Sequence, residues 1–317
     1  MIYIYYSTHP AVHKPSATTN LSDDLAWVIN SPPIIQGRRQ HCQWTDNHFW
    51  QQANTTFTAQ ADHKTQALQQ LIQRQTDYRL GHYFETLLSH WFHTSERYEI
   101  LKQNLQVQGE QRTLGGFDYL VRDKQTNTTQ HWEVACKFYL GIGQTQQIEN
   151  WYGPMLKDKL GNKFQQMQER QSKLSEQPAA RALLDELNIQ IDQTICLMKG
   201  RLFYPLAEAI TQTPDIAANG HLRAWWAKPD DFSHRFKDKP IKWQFLQKKQ
   251  WLSTQVYNEN TVYFSNKDVI DNFHDDYQHP VCIAGFMADE SSREIQRGFL
   301  VPKDWAKRIN IIDNTPS

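Results

Sequence analysis

Residues 114–140 read LGGFDYLVRDKQTNTTQHWEVACKFYL. Two apolar runs, LGGFDYLV and HWEVACKFYL, flank the polar turn-former RDKQTNTTQ, which predicts a β-hairpin turning near Gln125–Asn127. Charged groups interrupt both runs: Asp118 in the first, Glu133 and Lys137 in the second. Alternation along a strand puts residues 133, 135 and 137 on one face. Asp118 then falls opposite some position between Glu133 and Lys137, the register being open by a pleat. Charges inside apolar strands cost free energy unless they pair or hold a metal ion. An Asp, a Glu and a Lys on neighbouring strands are suited to metal-dependent phosphodiester chemistry. They also describe an ordinary cross-strand ion pair. The apolar flanks favour the chemical reading, as does Gly115–Gly116, where missing side chains would leave room for a bound backbone.

Outward from the hairpin, helices and strands alternate. Leu68, Leu71, Ile72, Leu80, Tyr83, Phe84, Leu87, Leu88 and Trp91 share one face of a helix expected from about Lys64 to His93. Glu85 borders that face. Asp23–Asp24 open a shorter helix, DDLAWVIN, which Pro32–Pro33 stop; residues 1–20 look irregular. A strand over Tyr98–Val107 precedes the hairpin. A helix over Leu156–Leu174, a short helix after Pro178 and one or two strands within Ile189–Tyr204 follow it. This order defines an α/β layer with a mixed sheet flanked by helices. Further on, HLRAWWAKP, IKWQFLQKKQWL, PVCIAGFMA and IQRGFLVP read as strands and Lys267–Phe273 as a short helix. They extend the same sheet or form a β-rich subdomain.

Composition narrows the function without naming it. The 317-residue chain carries 34 Lys plus Arg and 34 Asp plus Glu, a formal net charge of zero, so bulk charge makes no case for nucleic acid. Its four cysteines show no Cys-x-x-Cys spacing, which speaks against a zinc site or disulfide framework and fits a reducing compartment. No apolar run reaches the length of a membrane span, and the N-terminus lacks a basic flank. A cytoplasmic, membrane-free protein is expected. Gly141-Ile-Gly143 lacks the third glycine of a dinucleotide fingerprint. His82, His90 and His93 share a helix without a completing acid or cysteine, and read as packing or surface residues. Alternation turns Cys136 away from the Glu133–Lys137 face. Trp225 and Trp226, with Arg223 and Lys228, form either a base-stacking platform or, more commonly, core.

The segments DLAWVINSPP, LGHYFETLLSHW, LGGFDYLV, HWEVACKFYLG, WYGPMLKDKLGNKFQQM, GRLFYP and RGFLVPKDW resemble a bacterial family known as domain of unknown function 1853, over about residues 23–305. The succession of helix Glu, strand Asp, then strand Glu and Lys is similar to the PD-(D/E)XK nuclease superfamily. The resemblance implies a restriction-endonuclease-like fold. It divides the chain into an N-terminal helical or irregular segment (1–60), a nuclease core (61–205) and a C-terminal β-rich extension packed on that core (206–317). It also implies Mg²⁺ or Mn²⁺ held by Asp118, Glu133 and Glu85, with Lys137 orienting or activating water. Lys159 and Lys163, beside Asp158, would touch the backbone of a DNA or RNA substrate, the alternative being a solvated helix face. One departure stands out: Ala135 occupies the position of the superfamily's second acid, and Glu133 lies four residues before Lys137, about 13 Å along a strand. That spacing leaves open an alternative, a nuclease-fold protein that binds nucleic acid or a partner without turning it over.

Overall fold

A computed structural model describes residues 20–39, 42–57, 65–73, 77, 79–208, 211–273, 278–287 and 293–313. The irregular start expected over residues 1–20 lies, apart from Asn20, outside these residues.

Helix α1 (Leu21–Asn30) begins where the Asn20 side chain accepts the Ser22 N–H, and stops at Ser31, before Pro32. Two short strands, β1 (Gly37–Arg39) and β2 (Cys42–Trp44), and helix α2 (Asn47–Phe57) follow. The single helix expected from Lys64 to His93 is two, α3 (Thr65–Gln73) and α4 (Leu80–Thr94). The reason is local. Arg79 is extended (φ −67°, ψ 138°), and the Asp77 carboxylate takes its N–H at 2.9 Å and its guanidinium at 2.5 Å, a side-chain bond that competes with helix propagation. The apolar stripe of α4 is as read: Tyr83, Phe84, Leu87, Leu88 and Trp91 are buried.

Strands β3 (Tyr98–Gln108), β4 (Thr113–Asp123) and β5 (Thr128–Gly141) form an antiparallel meander. The β4–β5 turn spans residues 124–127, as the turn-former predicted, with Asn127 left-handed (φ 54°). Short β6 (Trp151–Tyr152) pairs with the end of β5. The next helix starts later than Leu156, because Leu156 itself is left-handed (φ 58°) in a turn closed by its N–H to Gly153 O. Helix α5 therefore covers Leu160–Gln165 and runs into a π-helical segment over Gln166–Gln171. After α6 (Pro178–Glu186), the run to Tyr204 is one strand, β7 (Gln193–Pro205).

β7 lies parallel to β5, with Lys137 opposite Gly200. That glycine is required. At φ +144° its backbone approaches so closely that a Cβ would sit 1.6 Å from the Lys137 carbonyl oxygen. The strands beyond β7 continue the same sheet. β8 (Arg223–Ala227) is followed by α7 (Pro229–Phe236), β9 (Ile241–Phe245), α8 (Asn266–Asn272), β10 (Val281–Met287), β11 (Gln296–Leu300) and α9 (Trp305–Asp313). IKWQFLQKKQWL is thus only half strand; Lys248–Trp251 form a 3₁₀ turn. The spatial order is β3-β4-β5-β7-β8-β11-β10-β9. Parallel pairs join β5, β7, β8 and β11, and also β2 to β7, and antiparallel pairs join the rest.

The protein is therefore α/β, a large mixed sheet flanked by helices. On one face α4, α1 and α2 cover Trp132, Val134 and Phe138. On the other, Ile34, Trp44, Leu160 and Met167 cover Ala135 and Tyr139, while α6 covers Phe117 and Leu120. Trp225 and Trp226 are core residues, Trp225 against Phe236 and Trp243, and Trp226 donating to Gly141 O at 2.8 Å. They are no stacking platform. No described helix is long and apolar enough to cross a membrane.

Candidate functional site

The β4–β5 ladder runs from Asp123↔Thr128 to Tyr119↔Trp132 and then stops. One step further Asp118 faces Glu133. It closes the ladder with its side chain, Asp118 Oδ2 accepting the Val134 N–H at 2.9 Å. The open register thus resolves at Glu133. Asp118 is part-buried, whereas Glu133 is 0 % exposed.

Glu133 Oε1 lies 2.7 Å from Nε2 of His131, which is itself fully buried on the same face with its ring edge-on to Phe117. Among the described residues no donor reaches the other oxygen, Glu133 Oε2, whose carboxyl neighbour is Asp118, and His131 Nδ1 has no hydrogen-bond partner. Burial pushes the Glu133 carboxyl from its ordinary 4.5 up to about 8, against the opposing pull of Lys163 and Asp118. Burial first, then the Glu133 charge, pushes Asp118 up to about 7. Burial also drives His131 down to about 4, so the imidazole is neutral. A buried carboxyl pair short of positive charge holds protons until a cation replaces them.

Glu85 stands on α4, which Tyr119 ties to β4 by donating to the Glu85 carbonyl at 2.8 Å. Its carboxyl is raised by burial and then by the Asp118 charge. His82, a partly exposed surface residue as read, sits between two acids, Nδ1 3.2 Å from Glu85 Oε2 and Nε2 3.1 Å from Asp77 Oδ2. Glu85 is an electrostatic neighbour of Asp118. Among the described residues, however, no three His, Cys, Asp or Glu side chains form a ready-made metal cage.

The lysines divide. Lys137 follows Glu133 on the same face but is engaged elsewhere, its Nζ 2.7 Å from Asp158 Oδ2, an oxygen that also accepts the Tyr139 hydroxyl at 3.2 Å. Asp158 and Lys159 lie before α5, not on it. Lys159 Nζ lies 4.8 Å from the centre of the Tyr152 ring. Lys163 is on α5, where its charge bears on both Asp118 and Glu133. The paired glycines serve the protein itself: a Cβ at Gly116 would strike the Gln106 amide at 2.5 Å, and one at Gly115 would press on Leu174 at 3.2 Å. The space beside Gly116 holds the exposed side chain of Gln106. Cys136 is a partly buried thiol packed against the α4-side core, its pKa raised by burial.

Fold and site together define an α/β protein with a buried two-carboxylate centre at the mouth of a hairpin, flanked by lysines. The family model described as Domain of unknown function (DUF1853) matches residues 23–301, and the chain belongs to that family. No curated protein and no solved structure matches it.

Proposed function

We propose that this chain is a Mg²⁺- or Mn²⁺-dependent phosphodiesterase of the PD-(D/E)XK, restriction-endonuclease-like kind, acting on DNA or RNA. The observation that carries the reading is the Asp118–Glu133 pair with its orphaned, buried Glu133 Oε2. The donor set fits the ion: Mg²⁺ takes oxygen ligands, one or two carboxylates with waters, and does not need an all-protein cage. Once bound, such an ion polarises a phosphoryl oxygen and acidifies a water. The protein's own residues do the positioning. Asp118 and Glu133 hold the ion, Asp118 being fixed by the Val134 N–H and Glu133 by His131. Glu85 adds negative charge from α4. A flanking lysine offsets the charge that develops on the phosphoryl group. An antiparallel hairpin continued by a parallel strand, with α4 and α5 on opposite faces, supports the nuclease-type fold.

The test is cleavage of labelled DNA and RNA by purified protein in Mg²⁺ or Mn²⁺, beside Asp118→Ala. The variant is expected to lose at least about a hundredfold in rate, the scale of removing a group that stabilises transition-state charge. Equal cleavage by both proteins would assign the activity to a contaminant. The full burial of Glu133 and the engagement of Lys137 by Asp158 favour a second reading, a nuclease-fold module that binds nucleic acid or a partner without turnover. It predicts salt-dependent binding and no cleavage.

A further inference from the structure

The fold treats the two lysines of this site differently. Lys137 has a carboxylate of its own in Asp158. Lys163, part-buried on α5, has none within ion-pair range among the described residues; its Nζ donates to the neutral Gln171 Oε1 at 3.0 Å. Leu160 and Met167 pack α5 and the turn after it onto Ala135 and Tyr139, the face of β5 that also carries Glu133, so Lys163 lies on the side of the sheet that holds the pair, and its charge favours the ionised form of Asp118 and of Glu133.

Gln171 reaches Lys163 because the chain between them leaves the α-helix. In a continuous α-helix residues eight apart are ~12 Å apart along the axis and ~80° apart around it. Residues 166–171 instead form a π-helical segment, with Ser172 N–H bonded to Met167 O, five residues back, at 3.0 Å. Such wide turns are uncommon and concentrate at functional sites. This one packs against β4, the strand that carries Asp118. On its buried side Gln168 accepts the Trp44 indole N–H at 3.0 Å, which locks the segment to β2.

We infer that Lys163, held by Gln171 across the π-helical segment, is the lysine that offsets charge at the Asp118–Glu133 pair, and that Lys137 serves a structural contact with Asp158. The catalytic consequence rests on the hydrolase reading; the electrostatic one does not. Gln171 is a positioning residue, acting through Lys163.

Two readouts on the full chain test this. The first is Mn²⁺ affinity by titration calorimetry at constant pH. A nearby cation repels a divalent ion, so Lys163→Met tightens Mn²⁺ binding about tenfold, while Lys137→Met changes it less than about twofold. Gln171→Glu, which gives Lys163 a counter-charge, also tightens binding, and Lys163→Arg stays near wild type. The second is cleavage: Lys163→Met and Gln171→Glu lower kcat with little change in KM, and Lys163→Arg restores part of the rate. Circular dichroism confirms that each variant folds. Tighter Mn²⁺ binding in Lys163→Met without cleavage by any protein sustains the inference and sinks the hydrolase reading. Cleavage that survives Lys163→Met but not Lys137→Met sinks the inference and leaves the hydrolase reading standing. Absence of Mn²⁺ binding in every variant overturns both.

Discussion

Glu133 carries a testable sign. Its carboxyl titrates near 4.5 when exposed and near 8 in the fold, and Asp118 near 3.8 and near 7. Between these values the folded chain binds more protons than the unfolded one, so stability without divalent ions falls as pH rises from about 5 to 8. For Glu133 alone the loss amounts to a few kcal/mol, at about 1.4 kcal/mol per tenfold change in proton affinity. Glu133→Gln, which keeps the shape and removes the charge, flattens that slope and raises the melting temperature at pH 8. A slope equal to wild type would show that Glu133 is not held protonated. Asp118 and Glu133 were legible in sequence because charge inside apolar strands is costly and conspicuous. His131 was not, since nothing in HWEV announces that its ring turns onto Glu133. Lys163 was legible as a nearby cation, but its bond to Gln171 depends on a wide turn that no periodicity reveals.

Among the elements, the β5–β7 contact is the most demanding. Gly200→Ala places a methyl group where the Lys137 carbonyl stands, so the two strands must part along a buried parallel pairing. A loss of about 3 kcal/mol or more is expected, read as a lowered urea midpoint with an unchanged slope. A loss below about 0.5 kcal/mol, the range of an ordinary surface change, would contradict the packing described. The hairpin, α4 and the order of the strands follow from period-two and helical patterns, which tertiary contacts reinforce. Breaks were harder to read. Asp77 unmakes the helix before α4 by capturing Arg79, and left-handed Leu156 delays α5. Asp77 sits in a polar stretch, QRQTDYR, between two apolar stripes whose spacing reads as one helix, and Leu156 has the look of an ordinary apolar helix residue. Helix α7 carried plain signals, Pro229 at its first turn with Asp230 and Asp231, but its two buried phenylalanines are too few to stand out as a stripe.

Across the whole molecule, the C-terminal strands brace the site from a distance. β8 pairs with β7 and β11 within one sheet. The Trp305 indole N–H, at the start of α9, donates to Pro154 O at 2.9 Å and anchors the loop that presents Asp158. Buried Asp24 accepts the Tyr83 hydroxyl at 2.7 Å and the Ser253 N–H at 3.3 Å, joining α1, α4 and the C-terminal region. Arg297 donates to Ser253 O at 2.7 Å and pairs with Glu294 at 2.5 Å. Apart from the Glu294 pair, only three residues from Arg297, these ties are long-range and lie outside sequence reasoning, because each joins residues whose partners are set only once the sheet has formed. What they hold in place is a carboxyl pair short of positive charge. The most direct measurement is calorimetric titration of the intact protein with Mn²⁺ at pH 8, beside Asp118→Asn. One saturable site in the wild type, weakened at least about tenfold in the variant, is the result expected for a pair that binds the ion. Indistinguishable titrations of the two proteins, or no binding by either, would mean that Asp118 and Glu133 share protons and hold no metal.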